Sequence, residues 1–235
     1  MRAIILAGGK GSRLYPYTAT LPKSLVPVDD MPILEIVLRQ LKYYGYRHVT
    51  IAVGHLAGLI KAYFNNGKTL GIKIDYSVEK IPLGTVGPLS LIKDLEKDFL
   101  MMNGDLLTSA NFASLMKFHR QQRATLTIGA YDQKIQIKSG VLKTSQNLVR
   151  EYLEKPELPY VISAGIYILS KRVLQYIPKN QPMGLPELFK VLIKAQEKVA
   201  AYKIRGAWLD LGNPEDYQRT IDEFKQHRSL YLKGR

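Results

Sequence analysis

The chain contains no cysteine, which excludes disulfides, thiolate zinc sites and cysteine nucleophiles. No stretch of about eighteen consecutive apolar residues occurs, so no membrane span is expected. The apolar run that opens at Arg2 is expected to be a first strand, not a secretory leader. Linkers, internal repeats and low-complexity segments are also missing, which argues for a single domain over residues 1–235 rather than an array of modules. A chain of 235 residues is long enough for one sizeable core, and it reads as a cytoplasmic globular protein.

Acidic residues are scarce: 20 Asp and Glu against 34 Lys and Arg leave a net charge of +14. Such an excess suits a nucleic-acid binder or an enzyme that draws in anionic small molecules. The basic residues are spread along the chain, thickening only in the terminal "KQHRSLYLKGR". No helix-turn-helix, zinc-finger or RNP-type aromatic pattern accompanies them. Phosphorylated small molecules are therefore the expected partners, with neither nucleic acid nor membrane, and a homo-oligomer is left open.

From residue 2 to 130, strand-like and helix-like segments alternate. "AIILA", "HVTIAVG", "GIKIDYSVE", "FLMMNGD" and "ATLTIGAY" read as strands. "PILEIVLRQLKYYG", "LAGLIKAYFNNG", "TVGPLSLIKDLEKD" and "FASLMKFHRQQR" read as helices. This rhythm predicts an α/β fold with a mainly parallel sheet and helices on both faces. Beyond residue 130 the rhythm changes to paired strands around "KSGVLKTSQNLVREYLEKP" and a long alternating strand in "YVISAGIYILS". Two further helices, in "LPELFKVLIKAQEK" and "PEDYQRTIDEFKQHR", are expected around the strands "VAAYKI" and "WLDLG".

The most informative stretch is "LAGGKGSRLYPYTATLPKSLVPV", residues 6–28, directly after the first strand. In open α/β sheets ligands lie beyond the carboxyl ends of the strands. Glycines there let backbone N–H groups approach phosphate oxygens. Arg13 offers a planar fork of donors and Lys23 a mobile positive charge. A Walker A spacing is absent, and so is the third glycine of the dinucleotide fingerprint. Pro16, Pro22 and Pro27 forbid an immediate helix. The loop is therefore expected to wrap round its ligand and return Lys23 towards Gly8, Gly9 and Gly11. Asp105 in "NGD" and Asp210 in "WLDLG" are carboxylates at strand ends. With phosphate oxygens and water, two such carboxylates make a reasonable Mg²⁺ site.

Residues 6–28 resemble the signature of the sugar-phosphate nucleotidyltransferases, the enzymes that make nucleoside-diphosphate sugars. The resemblance continues in order through "EKIPLGTVGPL", "NGD", "EKP", "SAGIYIL" and "WLDLGNPEDY", and so covers nearly the whole chain. "PLGTVGPL" is most similar to the mannose-1-phosphate guanylyltransferase branch, with heptose-phosphate guanylyltransferases near it.

The resemblance implies a Rossmann-like, glycosyltransferase-A-like nucleotidyltransferase fold. Its nucleotide-binding half would span 1–130 and its sugar-phosphate-binding half 131–235, with no C-terminal β-helix. It implies catalytic roles for Arg13, Lys23, Asp105 and Asp210, with Mg²⁺ on the two aspartates as cofactor. Nucleotide recognition falls to Leu6, Ala7, Gly8, Gly9, Gly11, Glu79, Gly84 and Thr85. Sugar-phosphate contact falls to Gly140, Glu154, Lys155, Ser163 and Gly165. Two positions depart from the family pattern: Ser163 stands where relatives usually have Asn, and Ser24 replaces a common proline. The segment between Pro156 and Ser163 is short.

The implied substrates are a nucleoside triphosphate and a sugar 1-phosphate, with GTP and mannose 1-phosphate favoured. A heptose-1-phosphate guanylyltransferase, or a uridylyl or thymidylyl enzyme acting on glucose 1-phosphate, shares the same catalytic residues. A non-catalytic protein that binds nucleotide sugars is the alternative of another class.

Overall fold

Apolar runs without alternation build strands buried on both faces, and β1 (Arg2–Ala7) is the first of them. In the computed structural model, which describes residues 1–79 and 81–233, it is followed by β2 (Pro27–Val28), β3 (Met31–Pro32), α1 (Ile33–Tyr43) and β4 (His48–Val53). Next come α2 (Ala57–Phe64), β5 (Lys73–Val78), β6 (Asp98–Asn103), β7 (Leu106–Thr108) and α3 (Phe112–Gln122). The second half adds β8 (Leu126–Gln136), β9 (Val141–Ser145), β10 (Leu148–Leu153) and β11 (Glu157–Ser170). It ends with α4 (Leu185–Lys194), β12 (Val199–Lys203), β13 (Trp208–Asp210), α5 (Pro214–Gln226) and α6 (Arg228–Tyr231). Lys80 of the quoted nucleotide motif, and Gly234 and Arg235 of the basic tail, lie outside the described residues.

Seven strands form the main sheet in the order β12-β8-β11-β6-β1-β4-β5. β1 runs parallel to β4 and β6, β4 to β5, and β12 to β8. β11 is antiparallel to both β6 and β8, so the sheet is mixed but mostly parallel. Successive β1 residues point to opposite faces. Ala3 and Ile5 join a core with Leu34 and Leu41 of α1, Ile60 of α2 and Leu115 of α3, whereas Ile4 joins one with Leu188 and Leu192 of α4. Each fully buried Ile or Leu contributes about 1.5–3 kcal/mol relative to exposure, which is why β1 tolerates no polar residue between Ala3 and Ile5.

The segment 85–98 departs from the sequence reading. Instead of an α-helix it holds a 3-10 turn at Gly87–Leu91. The N–H groups of Val86 and Gly87 both donate to the Met183 carbonyl, at 3.1 and 3.2 Å. A long-range contact therefore takes the donors at the start of this segment. At the basic end, α6 docks on the molecule: Arg228 pairs with Asp29 at 3.0 Å and with Asp30 at 2.8 Å.

Candidate active site

The loop after β1 folds into three short 3-10 turns, at Ser12–Leu14, Tyr17–Ala19 and Lys23–Leu25. Gly11 has φ +65, and a Cβ there would stand 3.0 Å from both the Lys23 Cβ and a Thr18 methyl. Glycine thus gives the left-handed turn and the close approach that seat Lys23 beside the glycines. The Thr18 hydroxyl donates to the Gly11 carbonyl at 2.8 Å and fixes the return. Arg13 is exposed on the first of these turns.

A small ladder brings the two aspartates together. β7 and β13 pair antiparallel with Asp210 opposite Leu106, and the Leu211 N–H donates to the Asp105 carbonyl at 3.2 Å. Lys23 Nζ lies 2.5 Å from Asp105 Oδ2 and 3.5 Å from Asp210 Oδ1. Burial raises the Asp210 carboxyl above its ordinary range, and the neighbouring Asp105 charge adds to this, while Lys23 and Arg13 oppose it. One ammonium and one exposed guanidinium therefore serve two crowded carboxylates.

Beside this cluster opens a cavity of about 760 Å³, to which Asp105 contributes. Leu6, Gly8, Gly9, Glu79, Gly84 and Thr85 line it. Ala7 is buried in β1 between them. Glu79 Oε2 accepts the Leu83 N–H at 2.8 Å, so this side chain shapes the following loop. Gly84 has φ +74, and a Cβ there would stand 2.7 Å from the Met183 carbonyl oxygen. Thr85 follows without starting an α-helix. Lys10, Gly54, His55 and Asn103 also line the cavity, and the sequence reading did not single them out. Gly54 has the same signal as the first loop, a glycine at the carboxyl end of a buried strand. A Cβ on it would lie 3.1 Å from the Gly8 carbonyl oxygen, so the two strand-end loops pack backbone on backbone.

The sugar-phosphate candidates fall in two places. Gly165 sits in an irregularity of β11 with φ +69, where a Cβ would stand 2.8 Å from the Asn103 side chain. It therefore adjoins the cavity wall. The Ser163 hydroxyl is shared with the Tyr167 hydroxyl at 2.9 Å. Gly140, Glu154 and Lys155 flank the β9–β10 hairpin and do not line the cavity. The Tyr152 phenol fills the space a Gly140 side chain would need and donates to Glu154 Oε2 at 2.5 Å. Lys155 lies 3.7 Å from Glu154 Oε1.

The nucleotidyl transferase family profile matches residues 2–227. The chain belongs to this family. It is 34% identical over 226 residues to the mannose-1-phosphate guanylyltransferase catalytic subunit beta of Danio rerio, covering 92% of this chain and 62% of that one. It is 32% identical over 242 residues to a UTP–glucose-1-phosphate uridylyltransferase of Synechocystis sp., covering 94% of this chain and 62% of that one. The chain thus spans less than two thirds of either relative. Its fold is similar to that of HddC from Yersinia pseudotuberculosis, solved in complex with GMP-PN, with a TM-score of 0.74 at 24% identity over 95% of this chain and 99% of that one.

The donor set of this chain fits a hard divalent cation. Asp210 Oδ1 is buried and takes part in no hydrogen bond, and it faces the same ammonium as Asp105. Among the described residues no group of three or more His, Cys, Asp or Glu side chains gathers to hold a metal. Two carboxylates with the rest of the shell left to phosphate and water is the arrangement magnesium favours.

Proposed function

We propose that the chain joins a nucleoside triphosphate to a sugar 1-phosphate, releasing pyrophosphate and a nucleoside-diphosphate sugar. The observation that carries this reading is the convergence of Lys23, Asp105 and Asp210 beside a glycine-lined cavity large enough for a nucleotide, to whose wall Asp105 belongs. A phosphate oxygen of the sugar 1-phosphate attacks the α-phosphorus in line, and the bond from that phosphorus to the β-phosphate bridging oxygen breaks. The nucleophile is an anion at neutral pH, so no general base is needed.

What the chain must supply is position and positive charge. Lys23 neutralises the attacking and α-phosphates, Arg13 holds the departing β- and γ-phosphates, and the glycine backbone cradles the triphosphate. Asp105 and Asp210 would hold Mg²⁺, which when bound polarises the α-phosphoryl oxygen. Gly84 and Glu79 would meet the base edge, and Glu154, Lys155, Gly140, Ser163 and Gly165 the sugar phosphate. Gly140, Glu154 and Lys155 reach that role from the hairpin, outside the cavity itself.

GTP with mannose 1-phosphate is the preferred pair, supported by the "PLGTVGPL" motif and the Danio rerio relative. UTP with glucose 1-phosphate is the second reading, favoured by the Synechocystis relative at similar identity. A panel of nucleoside triphosphates against mannose, glucose and heptose 1-phosphates, read by pyrophosphate release with Mg²⁺, decides between them. No turnover with any pair, alongside binding of nucleotide sugars, would make the chain a non-catalytic binder.

A further inference from the structure

A second cavity, of about 620 Å³, opens at the opposite end of the sheet. Asp98, the first residue of β6, lines it, whereas Asn103, the last, lines the nucleotide cavity. The length of the strand, roughly 17 Å, separates the two. Lys97, Arg120, Arg123 and Arg172 stand round the second cavity, and Asp98 is the one carboxylate among its lining residues.

Two of the guanidinium groups are anchored from behind. Arg120 Nε donates to Asp98 Oδ2 at 3.2 Å. Arg172 lies with its Nε 3.6 Å from Glu197 Oε2, and its Nη2 donates to the Arg123 carbonyl at 3.1 Å. The anchoring carboxylates are themselves fixed. Asp98 faces the buried His119 at 3.6 Å, and His119 Nδ1 meets the Thr127 hydroxyl at 2.8 Å. Glu197 accepts the hydroxyls of Thr125 and Tyr176. By contrast, the side chains of Lys97 and Arg123 have no partner among the described residues. Arg123 also closes α3 with φ +50, a left-handed position where glycine is the residue without steric cost.

We propose that this cavity binds a chain of two or three phosphates, carried by a small phosphorylated molecule or free as an inorganic polyphosphate, at a site separate from the candidate active centre. Guanidinium groups match phosphate oxygens in pairs. Four cations spread over the walls of one recess suit an elongated anion better than a single phosphate. The recess has the volume of a small molecule, which sets it apart from a flat nucleic-acid face.

The test is calorimetric titration of the full chain with inorganic pyrophosphate and tripolyphosphate at fixed ionic strength. The variants are Lys97→Ala/Arg123→Gly and, separately, Lys23→Ala at the candidate active centre. The first pair changes only unpartnered side chains, and glycine suits the left-handed position, so its Tm should equal or exceed that of the parent chain. Saturable binding should weaken at least tenfold in Lys97→Ala/Arg123→Gly and persist in Lys23→Ala. Adding a nucleoside diphosphate to the panel separates the two sources when only the component lost in Lys97→Ala/Arg123→Gly is compared, since the candidate active centre takes nucleotides too: a tighter component than with pyrophosphate means an organic carrier, an equal one the phosphate chain alone. Unchanged affinity in Lys97→Ala/Arg123→Gly, or complete loss in Lys23→Ala, would overturn the proposal. So would non-saturating binding that merely follows salt, which is general attraction to a chain of charge +14.

Discussion

Lys23 stands where a divalent cation would otherwise neutralise Asp105 and Asp210, at 2.5 and 3.5 Å from them. An ammonium and a metal ion compete for the same pair of charges, so removing one should favour the other. Lys23→Met is expected to bind Mn²⁺ more tightly than the parent chain in the absence of nucleotide, followed by electron paramagnetic resonance. Its Tm should fall without divalent ions and recover with them, because two carboxylates are left to repel each other. Its turnover should nevertheless drop by about 10²–10³, the usual cost of losing one preorganised donor of positive charge. Equal or weaker Mn²⁺ binding in Lys23→Met would dissociate the lysine from the metal position. Arg13 is exposed and reaches the cluster only through its charge. Arg13→Ala should therefore weaken triphosphate binding while sugar 1-phosphate binding changes much less. Separate titrations of the two ligands read this directly, and the reverse pattern would mean that the phosphate assignments are exchanged.

Elements show where sequence is legible and where it is not. Gly84 holds its loop against Met183 through a left-handed turn with no room for a methyl group. Gly84→Ala is expected to cost about 1–2 kcal/mol in backbone strain alone, roughly 2–8 °C in Tm for a chain of this size. The loop must also move from the Met183 carbonyl, so KM for the nucleotide should rise more than kcat falls. The turn was legible from the glycine, but its partner was not. Met183 follows Gly84 by almost a hundred residues, and no local pattern links them. The segment 85–98 looked helical from its apolar spacing, yet it forms only a 3-10 turn, with Val86 and Gly87 tied by their N–H groups to the distant Met183. Strands β1, β4 and β6 were readable because each is a nearly continuous buried run, and the edge strand β5 because its residues alternate. The carboxylates were readable as strand-end residues, yet their meeting depends on the β7–β13 ladder, whose three-residue strands leave little periodicity to read. His55 and Lys10 carry no pattern at all, and their loops are brought together by the packing of Gly54 on Gly8 and by the His55 N–H donating to the Gly8 carbonyl.

At the scale of the whole molecule, the charge of +14 and one buried histidine set the response to acid. His119 sits on the buried face of α3, with its side chain against Asp98 of β6 and Thr127 of β8. Burial holds its imidazole below the ordinary value of 6.5; the Asp98 carboxylate opposes this, and the Arg120 and Arg172 charges reinforce it. In the folded chain the ring therefore stays neutral at a pH where the unfolded chain has already taken up a proton. The unfolded state binds more protons in that window, so stability must fall as pH falls. The contribution is complete above pH 6.5 and is lost as the pH drops from there through the lowered folded value. Added positive charge in an already basic molecule works in the same direction. Tm measured from pH 7.5 down to pH 5 should decline for the parent chain, and His119→Gln, which cannot titrate, should decline less steeply even if it starts lower. Pyrophosphate in the neighbouring cavity would place negative charge near the ring and favour its protonated form, so it should flatten the parent curve and leave the His119→Gln curve merely raised. Parallel slopes for the two chains would show that the acid response arises elsewhere.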